Sequence, residues 1–158
     1  MLQKIGLPHL IAFLALLLAG CGGGAPPKRI FPPTASIQQL TVQADGQWLL
    51  QVRIQNFSNV PHTVSGLSAR LLIDGLEAAR IELAPGVAIG PQNVEIEDVT
   101  ITPPLDAAGR VSAALESGRS VSYLFSGTLT STLPKKRSDD FSFEGQLWPT
   151  PGLPGVLR

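Results

Sequence analysis

The chain has almost no sulfur chemistry: one cysteine, Cys21, and one methionine in 158 residues. A lone cysteine excludes an internal disulfide and a thiolate metal site, so stability must come from packing. Histidine is nearly as scarce. His62 is the only one after Cys21, which rules out a multi-histidine metal site. Net charge is lacking too, with 12 Lys and Arg against 12 Asp and Glu. That balance leaves no electrostatic case for nucleic-acid binding. After Cys21 there is no apolar run long enough to cross a bilayer.

Glycine and proline are plentiful, at 16 and 14. They fall between short apolar runs that alternate, which predicts an all-β domain. Trp48, Leu50, Val52 and Ile54 alternate with Leu49, Gln51, Arg53 and Gln55, a strand with one buried face. Residues 36–43, 66–73, 76–83 and 94–101 read as further strands, with hairpin signals at Asp45-Gly46 and Asp74-Gly75. Val87 and Ile89 read as part of a loop. Val121, Tyr123, Phe125, Gly127 and Leu129 alternate, and Phe141, Phe143, Gly145 and Leu147 form a last strand. Residues 106–117 read as the one helix, capped by Asp106, ended by Gly118 and buried through Ala108, Val111 and Leu115. About seven strands and one short helix predict an immunoglobulin or fibronectin-III-like β-sandwich. The Pro- and Gly-rich residues 149–158 read as an extended tail.

Leu18-Ala19-Gly20-Cys21 follows a basic Lys4 and the apolar run 11–18. The order resembles a bacterial lipoprotein signal with its lipobox. The resemblance implies a signal peptide over 1–20, a diacylglycerol thioether on Cys21, and a mature chain hung from the membrane. Gly22, where inner-membrane retention in many Gram-negative bacteria uses Asp, implies the outer membrane, facing the periplasm. Residues 21–35 then read as a Gly- and Pro-rich tether, in which Lys28 and Arg29 could touch anionic head groups.

Three features of residues 36–148 resemble the water stress and hypersensitive response (WHy) domain of the LEA type 2 proteins. They are the strand from Trp48 ending in Asn56, the alternating strand through Leu71 with Asp74-Gly75, and Tyr123 with Gly127 and Leu129 before a Phe-rich strand. Phe57-Ser58-Asn59 departs from the family, which has Pro after the Asn, so that turn is expected to be built differently. The resemblance implies a fibronectin-III-like fold and a role in desiccation, cold or other stress, with no catalytic residues.

The residues alone point the same way. His62 reads as a solvated loop histidine, and no Gly-x-Ser-x-Gly elbow supports a triad around it. Glu95 and Glu97 share a strand face with Val94 and Ile96 opposite, the pattern of a solvent face, with Asp98 beyond them. Lys135-Lys136-Arg137 is offset by Asp139-Asp140 and reads as a solvated connection. Asn56 shares the parity of Trp48 to Ile54 and is expected to point inward and hold the loop to Pro61. Trp148 falls outside the core, against the tail. The expectation is a non-enzymatic, lipid-anchored envelope protein without cofactors. It would protect weakly bound protein clients or, alternatively, act as an adaptor for one specific partner.

Overall fold

The computed structural model describes residues 27–158. Leu18, Ala19, Gly20 and Cys21 lie outside them, as do the signal peptide and the start of the tether. The described residues form an all-β sandwich of two antiparallel sheets with one helix. The strands are β1 (Thr34–Val42), β2 (Trp48–Gln55), β3 (His62–Ile73), β4 (Leu76–Leu83), β5 (Val87–Ile89), β6 (Val94–Ile101), β7 (Val121–Leu133), β8 (Arg137–Leu147) and β9 (Val156–Leu157). The helix α1 (Leu105–Ser117) joins β6 to β7 and so carries the chain between the sheets. One sheet has the order β6-β2-β1-β9; the other has β4-β3-β7-β8, with β5 beside the start of β3.

The core follows from strand parity. Trp48, Leu50, Val52 and Ile54 of β2 are buried, facing Leu67, Ala69, Leu71 and Ile73 of β3 and Val121, Phe125 and Leu129 of β7. Phe125 packs on Phe141 with ring centroids 5.4 Å apart. Tyr123 is buried between the sheets, and its hydroxyl donates to the carbonyl of Ile37, 3.2 Å away on β1. That carbonyl sits at the bulge where Gln38 leaves the β1–β2 register. Burial raises the Tyr123 pKa, so the phenol stays protonated and able to donate. Gly145 lies opposite Tyr123 because a Cβ there would come within 2.7 Å of the ring.

Nine strands form rather than about seven, because two short segments find partners. Val87–Ile89 pairs with His62–Val64 instead of looping past it. The C-terminal residues are not an extended tail. They turn back so that Val156–Leu157 pairs with Thr41 and Leu40, and Leu157 is fully buried. Trp148 stays exposed, but its backbone exchanges both hydrogen bonds with Arg158. The helix begins one residue early, after Pro104, and Asp106 makes no capping bond; it sits in the first turn, where its charge suits the helix dipole. Gly118 ends the helix in the left-handed conformation, φ 65°. The buried helix residues are Ala107, Val111 and Ala114, with Ala108 and Leu115 at the margins.

Candidate functional site

The densest set of polar side chains lies at one end of the sandwich, where β2 leaves and β3 enters. Asn56 is fully buried there. Its Nδ2 donates among the carbonyls of Val60 (2.8 Å), Gly90 (2.9 Å) and Ile89 (3.3 Å), and its Oδ1 accepts from the Ser58 N–H at 2.8 Å. One amide thus ties its own loop to the end of β5. Buried backbone groups need such partners where no strand supplies them.

The same loop holds the incoming chain. Phe31 N–H donates to Ser58 Oγ (2.8 Å), and that hydroxyl also contacts the Phe31 carbonyl at 3.1 Å. Asn59 accepts from the Arg29 N–H and donates to the Pro27 carbonyl, while its own N–H donates to the Arg29 carbonyl. Residues 27–31 are therefore strapped to the domain and are not part of a free tether, and β1 already starts at Thr34. Ser58 and Asn59 belong to the segment that departs from the family pattern, and here they make the strap.

His62 is not a solvated loop residue. It opens β3, points inward and is fully buried, because β5 and the loop cover it. Its Nε2 lies 3.1 Å from Ser58 Oγ. When the Ser58 proton goes to the Phe31 carbonyl, Nε2 must be the protonated nitrogen. The neighbouring strands add Ser131 and the Arg137–Asp139 ion pair. His62 Nδ1, Ser131 Oγ and Asp139 Oδ2 are buried without a side-chain or backbone partner among the described residues. Arg137 and Asp139 are thus part of β8, with Asp139 buried; only residues 134–136 form the connection, and Lys135, Lys136 and Asp140 are exposed as expected.

Burial holds the His62 pKa below its ordinary 6.5. Arg137 adds to the shift, and Asp139 opposes it. The unfolded chain therefore takes up a proton below about pH 6.5 that the native site resists, so stability falls with pH in that window, by at most about 1.4 kcal/mol per unit. The urea midpoint should drop between about pH 7.5 and about pH 5.5, and H62Q should reduce the drop. Equal drops in both proteins would locate the linkage elsewhere.

Glu95 and Glu97 sit opposite Ile54 and Val52, so they share the inward side of their sheet, and Ile96 opposite Arg53 faces outward. This reverses the expected faces. β6 is an edge strand, where an inward carboxylate still reaches water; both glutamates are half-buried, and Asp98 is exposed. The His62 ring bonds Ser58 and, among the described residues, neither glutamate. Gly127 lies opposite Ala69 in the β3–β7 pairing, where an added Cβ would meet the β3 backbone. Among the described residues no cluster of His, Cys, Asp and Glu could hold a metal ion.

Neither the strap nor the buried histidine was visible in sequence. Ser58 and Asn59 lie 27 to 32 residues from their partners in the 27–31 segment. Only the break in the family pattern at Phe57 hinted at a different loop.

No family model matches the chain, and no curated protein does. Similar solved structures include a protein from Archaeoglobus fulgidus at 14% identity, spanning 77% of this chain and 98% of that one, TM-score 0.44. A protein from Arabidopsis thaliana is 15% identical over 80% and 84% of the two chains, TM-score 0.48. A putative late embryogenesis abundant protein is 15% identical over 89% and 80%, also at 0.48. Likeness at this level says nothing of activity.

Proposed function

We propose that this chain is a bacterial lipoprotein, anchored through Cys21 to the periplasmic face of the outer membrane, whose LEA type 2-like sandwich protects envelope components under stress without catalysis. One observation supports the non-catalytic part most: the side chains best suited to chemistry are engaged in architecture. Ser58 and His62 are fully buried, and the Ser58 hydroxyl holds the backbone of Phe31. The far end of the sandwich offers Leu105, Trp148 and Leu153 to solvent, and Phe143 is exposed on β8. Leu49 and Leu72, also outward, are only half-exposed. Such residues make weak apolar contacts with partly unfolded proteins.

Residues 27–158 should slow the heat-induced aggregation of an unrelated enzyme at near-stoichiometric amounts, without ATP. An inert protein of equal size and net charge is the control; equal protection by it would remove the protective reading. β8 favours the adaptor reading instead. It is an eleven-residue edge strand, and sheet edges accept a strand from a partner. Cross-linking that captures one stoichiometric partner, rather than many weak ones, would select that reading.

A further inference from the structure

The end of the sandwich that receives the N-terminal segment is unlike the rest of the surface. Ile30 and Phe31 of the strap are 46% and 50% exposed, Phe57 of the β2–β3 loop 47%, and Leu133 at the end of β7 55%. These are half of the large apolar side chains that the described residues expose. The strand ends place them together: Thr34 pairs with Gln55, Thr63 with Leu133, and the Ser58–Phe31 bonds join strap to loop.

Charge is sorted in the same way. Lys28 and Arg29 on the strap and Lys135 and Lys136 in the β7–β8 turn are all exposed. The segments that build this end, residues 27–33, 56–61, 90–93 and 134–136, contain no Asp or Glu. A chain with as many acids as bases has thus gathered four cations and four exposed apolar side chains at one end. Apolar side chains ringed by Lys and Arg fit the boundary between anionic head groups and acyl chains.

We propose that this end is a membrane-docking face whose partner is an anionic lipid surface. The proposal deepens the lipid-anchor reading and rests on it for bringing the domain to a bilayer. Cys21 lies six residues before Pro27, at most about 20 Å of chain, and Pro27 is bound at this same end. A lipid on Cys21 therefore brings this end, and no other, within reach of the head groups. Ile30, Phe31, Phe57 and Leu133 enter the interface, and the four cations meet lipid phosphates.

The test uses the full chain isolated from membranes and reconstituted into vesicles, with F57W as the probe. The native Trp48 is buried and Trp148 lies at the opposite end, so the wild-type chain gives the background. Brominated lipid in phosphatidylglycerol-containing vesicles should quench most of the added F57W emission and little of the wild-type emission. The quenching should be lost in phosphatidylcholine vesicles, at high salt, and in the F57W chain carrying K135E and K136E. The mass at Cys21 and vesicle flotation report anchoring separately. A lipidated, floating chain with no F57W quenching overturns the docking face and leaves the anchor standing. Quenching by added vesicles in a chain without lipid overturns the anchor and upholds the face. A blue shift of F57W emission that grows with protein concentration, vesicles absent, assigns the face to a second copy and overturns the proposal.

Discussion

Cys21→Ala should abolish membrane anchoring. The expected product is an unlipidated chain that keeps residues 1–20, migrates above the mature size and leaves the detergent phase. The argument is chemical. The thioether needs a thiolate, and the chain has no other thiol to take the diacylglycerol. Cleavage follows lipidation in this class of signal, so processing should stop as well. The reach of the anchor matters because one acyl chain holds a protein only marginally, at about 0.8 kcal/mol per buried CH2. Several chains on one residue make the attachment stable, and losing that residue loses all of them at once. Phase partitioning and gel mobility of the two proteins check this. A mature-sized C21A band in the detergent phase would refute the lipobox reading.

Gly127→Ala should be the most damaging single methyl group in the domain. A Cβ at Gly127 would stand 2.0 Å from the Ser68 carbonyl oxygen and 2.6 Å from the Ala69 Cα. Both are backbone atoms, so no rotamer change relieves the clash; β3 and β7 must part, at a seam in the middle of their sheet. Overpacking costs about 1–3 kcal/mol where side chains can shift. With backbone on both sides of the clash, the cost should reach or pass about 3 kcal/mol, a melting loss of roughly 10 °C. Gly109→Ala supplies the contrast. Gly109 is helical with nothing within 4 Å of its added methyl group, so the substitution should raise stability by up to about 1 kcal/mol. Thermal melts of both variants decide the point: a melting temperature unchanged in G127A would mean that the strands are not this close.

The sandwich was legible where the alternation is unbroken. Trp48 to Gln55 forms β2 with those bounds, and Asp74-Gly75 turns the β3–β4 hairpin with both residues at positive φ. Reading failed where parity is interrupted. β3 bulges between Val64 and Gly66 in its pairing with β7, so the inward set passes from His62 and Val64 to Leu67 and Ala69. A period of two counted back from Leu67 therefore misplaces His62. Asp139 shares the parity of Phe141, but its charge suggested solvent; the structure buries it beside Arg137. β9 is two residues long after a run of breakers, too short for any periodicity to mark. The inward amide of Asn56 followed from parity, whereas its partners at Ile89 and Gly90 lie 33 and 34 residues away and carry no local signal.

The pairing of β9 with β1 also sets a clock. Leu40 of β1 is made well before its partner Leu157, which lies far along the chain. Until then the last residues of β1 keep one side unpaired, open to a passing strand. Contacts this far apart in sequence form late and slowly. The open interval lasts at least as long as the chain takes to emerge from Thr41 to Leu157, and a chain interrupted before Val156 would keep that end of β1 exposed. Closing this end of β1 thus reports that the chain has been made as far as Leu157.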